Sequence, residues 1–167
     1  MHCIGVDIVE IGRIKEAVEC WGDRFLRRVY TEAELAAYRH KPSSLAARFA
    51  CKEAVMKLLG TGKYGINWRE IEALSHSSGK PLVLLHGRAQ SKADEMGIKE
   101  IAVSLSHSKE YAVACVSAFS DINRFENIYP GNNTNNIWNI KNFTTSKYKK
   151  GYNISKKIYT IDRGKKT

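Results

Sequence analysis

The chain reads as an α+β domain followed by a tail of different composition, and three observations carry that reading. Apolar residues recur at helical spacing in Ile11-Ile14-Val18-Trp21, and the run Arg48 to Gly60 is made mostly of good helix formers, contains no Pro and meets a glycine where a helix would stop. Two pairs of short strand-like runs are joined by tight turns: Trp68–Leu74 with Leu82–Leu85, and Glu100–Leu105 with Tyr111–Val116. Composition then changes abruptly. Residues 1–119 hold 17 Lys and Arg against 14 Asp and Glu, whereas residues 120–167 hold 10 against 3 and nine of the ten asparagines.

At 167 residues the chain is long enough for one domain with a substantial core. It contains no apolar run of membrane-spanning length, and a strand pattern begins within four residues of Met1, so no signal peptide is expected. Cys3, Cys20, Cys51 and Cys115 are widely spaced and each falls in an apolar pattern. They read as four buried free thiols in a reducing cytoplasm.

In chain order, Cys3 to Val9 is a strand with apolar residues on both faces and Asp7 on the face of Gly5 and Val9. A helix from Ile11 to Trp21 stops at Gly22, and a short segment, Asp23 to Val29, presents Arg24, Arg27 and Arg28 outward. Thr31-Glu32-Ala33-Glu34 is a capping box that opens a helix to about His40. Lys41-Pro42-Ser43-Ser44 breaks it, with a Ser as N-cap of the next helix. That helix ends at Gly60, and Gly60 to Gly65 is a flexible loop. Ser77 to Pro81 turns between the first pair of strands, Arg88 to Met96 is helical, and Ser106 to Lys109 turns between the last pair.

Two carboxylates are out of place. At 100° per residue, Glu53 falls on a stripe with Phe49 and Met56, the face expected to turn inward. Two partners fit it: Lys57 at i+4, with Lys52 beside it, or a metal or catalytic group from elsewhere. Asp7 has the same ambiguity, between a strand-ending acceptor of backbone hydrogen bonds and a functional carboxylate. His107 is either an ordinary solvated turn residue or, with Ser106, Ser108 and Lys109, an anion contact.

Three stretches, taken in order, resemble one family. They are Gly5-Val6-Asp7-Ile8-Val9-Glu10, Arg48-Phe49-Ala50-Cys51-Lys52-Glu53-Ala54 with Lys57 and Gly60 after it, and Ser104 to Ala112 containing Ser106-His107-Ser108, with Gly79-Lys80-Pro81 between the last two. The pattern resembles the holo-acyl-carrier-protein synthases, the short type of 4′-phosphopantetheinyl transferase, over residues 1 to about 119. The resemblance implies an α+β fold with antiparallel sheet, one long and several short helices, assembled as a homotrimer with active sites between subunits. It implies transfer of 4′-phosphopantetheine from coenzyme A to a serine of apo acyl carrier protein, leaving 3′,5′-ADP, with Mg²⁺ as cofactor and a place in fatty acid biosynthesis.

By the same resemblance Asp7 and Glu53 are the metal ligands. Lys57 is the better catalytic candidate, with Lys52 also neutralising phosphate. His107 and Ser108 contact coenzyme A from the neighbouring side, and the loop beginning at Gly60 borders the nucleotide. The base that takes the serine proton is either Glu53, acting through a water, or a group on the carrier. Arg13, Arg24 and Arg28, with Arg27 and with Phe25 and Leu26 for apolar contact, are either a docking surface for the acidic carrier or an ordinary solvated basic face.

The pI near 9.5 also invites a basic nucleic-acid-binding protein without catalysis. Most of the excess charge lies in the tail, however, and residues 1–119 carry no helix-turn-helix, zinc or RNA-recognition signature. The tail, 120–167, departs from the family. Its readings are a disordered basic extension, an electrostatic contact for RNA, membrane or carrier, or a read-through or frameshifted stretch without selected function.

Overall fold

A computed structural model describes residues 1–121, except the side chains of Lys63 and Tyr64; the tail expectations lie outside the described residues. The elements run β1 (His2–Glu10), α1 (Ile11–Val29), α2 (Glu32–Tyr38), α3 (Pro42–Leu59), α4 (Gly62–Gly65), a 3-10 turn (Trp68–Glu70), β2 (Ile71–Ser75), β3 (Pro81–Leu85), α5 (Gly87–Glu95), β4 (Ile98–His107) and β5 (Tyr111–Ser120). All strand pairing is antiparallel: β1-β5-β4 form one sheet and β2-β3 a separate hairpin. The α+β expectation stands, with α3 the one long uninterrupted helix, because Ile11–Val29 is two shorter helical segments that meet at a non-helical Gly22. Gly22 adopts φ 51°, ψ −133°, outside the helical region, so the first segment stops there as expected and the second leaves at an angle.

α3 lies across the inner face of the three-stranded sheet. Its neighbours there are small: Gly5 and Cys3 on β1, and Ala112, Ala114, Val116 and Ala118 on β5, all buried. A Cβ on Gly5 would stand 2.0 Å from the Ala54 carbonyl oxygen, so only glycine permits this approach. The rest of α3 is enclosed by α1, α2 and β2, and 12 of its 18 residues are buried. That explains why its apolar periodicity is weak: a helix covered on nearly all sides has no single inward stripe.

The outer face of the same sheet is different. β1 and β5 turn Ile4, Val6, Ile8, Tyr111, Cys115 and Phe119 outward, and Ile4, Val6 and Ile8 are 66%, 56% and 64% exposed. The register lines them up as Ile4–Ser117–Ala102, Val6–Cys115–Ser104 and Ile8–Val113–Ser106 across the three strands.

Several local expectations hold. Thr31 and Glu34 form the capping box, the Thr31 hydroxyl accepting from the Glu34 N–H at 3.3 Å and the Glu34 carboxylate from the Thr31 N–H at 2.8 Å. Gly60 ends α3 in the left-handed region at φ 69°. Others need correction. The N-cap of α3 is Lys41 with Pro42 in the first turn, so no serine caps it; the fixed φ of proline suits that position. Gly62–Gly65 forms a single helical turn rather than a flexible loop. Trp68–Glu70 is a 3-10 turn, stapled by the ring of Trp68 stacking on Phe49 at 4.6 Å, and the strand starts at Ile71. β5 runs on to Ser120, whose buried hydroxyl donates to the Met96 carbonyl, so the domain includes Ser120. Cys3 and Cys51 are buried but Cys20 and Cys115 are exposed, because the outer sheet face and the outer side of α1 are uncovered within one chain.

Candidate active site

The site forms where β1 passes beneath the last turns of α3. The alternation of β1 puts Asp7 on the inner face with Gly5 and Val9, as expected. The close Gly5–Ala54 approach brings the helix near enough for Lys57 to reach back onto the strand. The Lys57 ammonium donates to Asp7 Oδ1 at 2.8 Å and to the Val6 carbonyl oxygen at 2.9 Å. Lys57 remains 52% exposed and the Asp7 side chain 18%, so the pair is at the surface and accessible to a ligand.

Glu53 is half-buried. It lies with Phe49, Lys57 and Gly60 on the least covered strip of α3, rather than on an inward face as expected; the deeply packed residues are Ala50, Cys51, Ala54, Val55, Leu58 and Leu59. One turn of helix separates Glu53 from Lys57, about 5–6 Å between Cβ atoms. Lys57 is thus the hinge of the site, carried on the same strip as Glu53 and bonded to Asp7. A pair of carboxylates from a strand and a helix, open to solvent, is the donor chemistry a hard divalent cation takes when waters and phosphate oxygens complete its shell.

Lys52 is the clear correction. Expected to meet phosphate, it has no exposed surface. Its ammonium donates to Glu34 Oε2 at 2.8 Å, to the Trp68 carbonyl at 3.0 Å and to the Ile71 carbonyl. Glu34 is equally enclosed and also accepts from the Ala73 N–H at 2.9 Å. Burial pushes the Lys52 ammonium below the ordinary lysine range, with the Glu34 charge acting against that. Burial likewise raises the Tyr30 hydroxyl well above its usual value and the Cys51 thiol to about 12. Glu34 was legible only as a helix cap. The missed signal was a lysine inside Ala50-Cys51-Lys52-Glu53-Ala54-Val55, which needs a buried counter-charge once the helix is enclosed.

The topology gathers other candidates at one end of the sheet. His107 is the last residue of β4, in the strand rather than the turn. It sits in the row Val9–Ala112–His107, next to the row Asp7–Ala114–Leu105 and on the same face. His107 is exposed. Ser108 spends its hydroxyl on the turn, accepting from the Glu110 and Tyr111 N–H groups at 3.2 and 3.1 Å. Arg13 is exposed in the first turn of α1, whose start is pinned to the same end by the Ile11 N–H donating to the Glu110 carbonyl at 2.7 Å. Arg24 and Arg28 are exposed beyond the Gly22 kink, and Arg27 is held by Glu32 at 3.0 Å. Phe25 is half-buried edge-on to Tyr30, while Leu26 is 3% exposed and belongs to the core, so Leu26 offers no contact surface.

Arg48, not singled out as a site residue from sequence, is buried over the Tyr38 ring at 3.8 Å and donates to the Ser75 hydroxyl at 2.8 Å. Its Nε has no partner among the described residues. A groove of about 590 Å³ runs between β3, α5 and β4, with Lys80 and Pro81 in its wall; Asp7, Glu53 and Lys57 are not among its walls.

The fold and this edge-of-sheet site define a compact α+β domain carrying acid and base groups on a strand and a helix, and sequence comparison assigns it. Residues 3–116 match the 4′-phosphopantetheinyl transferase superfamily, and the chain belongs to that family. The chain is 53% identical over 123 residues to the holo-[acyl-carrier-protein] synthase of Herpetosiphon aurantiacus, covering 70% of this chain and 97% of that protein. It is 53% identical over 114 residues to that of Dehalococcoides mccartyi strain 195, covering 68% and 95%. The crystal structure of the Helicobacter pylori holo-[acyl-carrier-protein] synthase in complex with coenzyme A aligns with a TM-score of 0.64 at 32% identity, over 70% of this chain and 99% of that one. The Bacillus anthracis synthase in complex with coenzyme A (3′,5′-ADP) aligns at 0.58 and 32%, over 71% and 96%.

Proposed function

We propose that this chain is a holo-acyl-carrier-protein synthase, moving 4′-phosphopantetheine from coenzyme A to a serine of apo acyl carrier protein in fatty acid biosynthesis. The observation that carries the reading, beside the similarity to the synthases, is the Asp7–Lys57 pair, with Lys57 on the same strip of α3 as Glu53. In the reaction the carrier's serine oxygen bonds to the β-phosphorus of coenzyme A. The bond from that phosphorus to the bridging oxygen breaks, and 3′,5′-ADP leaves with the electron pair while the serine gives up its proton.

Lys57 is exposed enough to turn its ammonium onto phosphate oxygens, where charge builds as the bridging bond lengthens. Asp7 and the Val6 carbonyl hold that ammonium in place beforehand. Asp7 and Glu53 are the residues that would hold Mg²⁺. The ion would neutralise the diphosphate and lessen repulsion between the two carboxylates. Glu53 is the candidate to receive the serine proton through a water. His107, exposed on the same sheet face, and Ser108 are assigned to coenzyme A phosphate or ribose, and Gly60 to the nucleotide border. Arg13, Arg24 and Arg28, with Phe25, form the surface for the acidic carrier.

The outer sheet face supports a homotrimer. Three exposed branched residues in one strand, continued across β5 by Val113, Cys115 and Phe119, make an apolar patch of the kind that marks an interface. A second subunit laid there would bring another copy's surface to the edge where the site opens. Among the described residues no helix is long and apolar enough to cross a membrane. We place the protein in the cytoplasm and propose that residues 121–167, beyond the end of β5 at Ser120, are a tail not needed for transfer. Incubation with apo carrier, coenzyme A and Mg²⁺, read by intact-protein mass spectrometry, should show the carrier gaining one phosphopantetheine. No adduct, with the protein folded, would overturn the reading.

A further inference from the structure

Two fully enclosed charges stand beside Glu53 in no step of the reaction. Lys52 immediately precedes Glu53, and its ammonium is held by Glu34, the Trp68 carbonyl and the Ile71 carbonyl. Glu34 in turn accepts from the Thr31 and Ala73 N–H groups, so one carboxylate ties the start of α2, the middle of α3 and β2 together. A buried ion pair is a poor source of stability, because loss of hydration offsets its attraction and an apolar pair of equal volume serves a core as well. What it adds is direction. Three bonds to rigid backbone and a fixed carboxylate hold Nζ at one point, and with it the rotation of α3 about its own axis. A second anchor holds the helix against β1, where Lys57 bonds to Asp7 and Val6 and Ala54 abuts Gly5. Glu53 lies between the two anchors, one residue after the first and one turn before the second.

We propose that the Lys52–Glu34 pair is a positioning device for Glu53, locking the rotation of α3 so that this carboxylate stays on the Asp7–Lys57 side of the helix. The inference rests on reading Asp7 and Glu53 as ligands of a divalent cation. Neither Lys52 nor Glu34 touches substrate or metal, so their effect is on geometry alone.

The test is the double variant Glu34→Gln/Lys52→Met in the full chain, which keeps side-chain volume, removes both charges and leaves an amide to meet the backbone groups. Binding is probed with Mn²⁺ alone, free ion being counted by electron paramagnetic resonance, and transfer is followed separately. Expected is a cooperative melt near that of the parent protein, Mn²⁺ affinity and kcat each lowered about tenfold, and an unchanged KM for apo carrier. A folded double variant with parental Mn²⁺ affinity and kcat would overturn the proposal. Should it fail to fold, Glu34→Asp, which keeps the counter-charge but shortens its reach to Nζ, is expected to move the same two quantities in the same direction, and parental values for it would be equally fatal. Glu53→Gln separates the two levels. If it binds Mn²⁺ as the parent does, the metal-ligand reading itself fails. If it binds weakly while the double variant binds normally, only the positioning role fails.

Discussion

The two faces of the β1-β5-β4 sheet are built from alternate residues of the same strands, yet they solve opposite problems. On the inner face Gly5, Ala112 and Ala114 are kept small so that α3 can lie close, and the chain covers this face by itself. On the outer face Ile4, Val6, Ile8 and Phe119 are large and uncovered. The inner face brings Lys57 onto Asp7, with Glu53 one helical turn earlier on the same strip of α3. The outer face is left open by the chain itself and is the surface the proposed trimer would cover. The difference teaches that the candidate site sits where a face the chain covers by itself meets one it leaves open.

The largest effect is expected where the inner face has no tolerance. Gly5→Ala would drive a methyl into the Ala54 carbonyl, and α3 cannot retreat without leaving the sheet. Chemical denaturation should show a loss of about 3 kcal/mol or more, with transfer activity falling in parallel. A variant of parental stability would mean that the face is less close-packed than the contact implies.

Next comes the cation carried on that approach. Lys57→Met should leave the melting temperature within a few degrees, since the side chain is half exposed, while lowering kcat about 100-fold. Steady-state kinetics with apo carrier checks it, and a change confined to KM would assign Lys57 to binding rather than to the reacting phosphate.

On the outer face, Val6→Lys should cost the isolated subunit less than about 1 kcal/mol, because the side chain is 56% exposed there. Sedimentation should nevertheless show a monomer where the parent shows the proposed trimer. A parental trimer in this variant would remove the sheet face from the interface.

The smallest effect is a chemical contrast. In the native protein at pH 8, iodoacetamide should modify Cys20 readily and leave Cys3 and Cys51 intact, the latter because burial holds its thiol at about 12. Cys115, exposed in one chain, should react slowly in the assembled protein and as fast as Cys20 in the Val6→Lys background. Equal rates in both would argue that the outer face stays open.

Much of this was legible in the residues. The capping box at Thr31 and the glycine stops at Gly22 and Gly60 are local rules, satisfied within a few residues of chain. Asp7 could be placed on the face of Gly5 and Val9 because strand alternation has only two outcomes. Family motifs then named Asp7, Glu53 and Lys57 together. What the residues could not convey was environment. The helical wheel put Glu53 inward, and only packing against α1, α2 and β2 shows that nearly every other side of α3 is covered, leaving Glu53 on its open strip.

Lys52 and Lys57 show the same limit within one helix. They are the same residue type, five positions apart, and the sequence pattern offered both to phosphate. Tertiary structure buried one against Glu34, eighteen residues away, and left the other half exposed against Asp7, fifty residues away. Spacing along the chain determines which way a side chain leaves a helix or strand, and so which residues can share a face. Whether that face meets solvent, a counter-charge or another subunit depends on elements distant in sequence, and burial energies far larger than local propensities then decide what each charge can do.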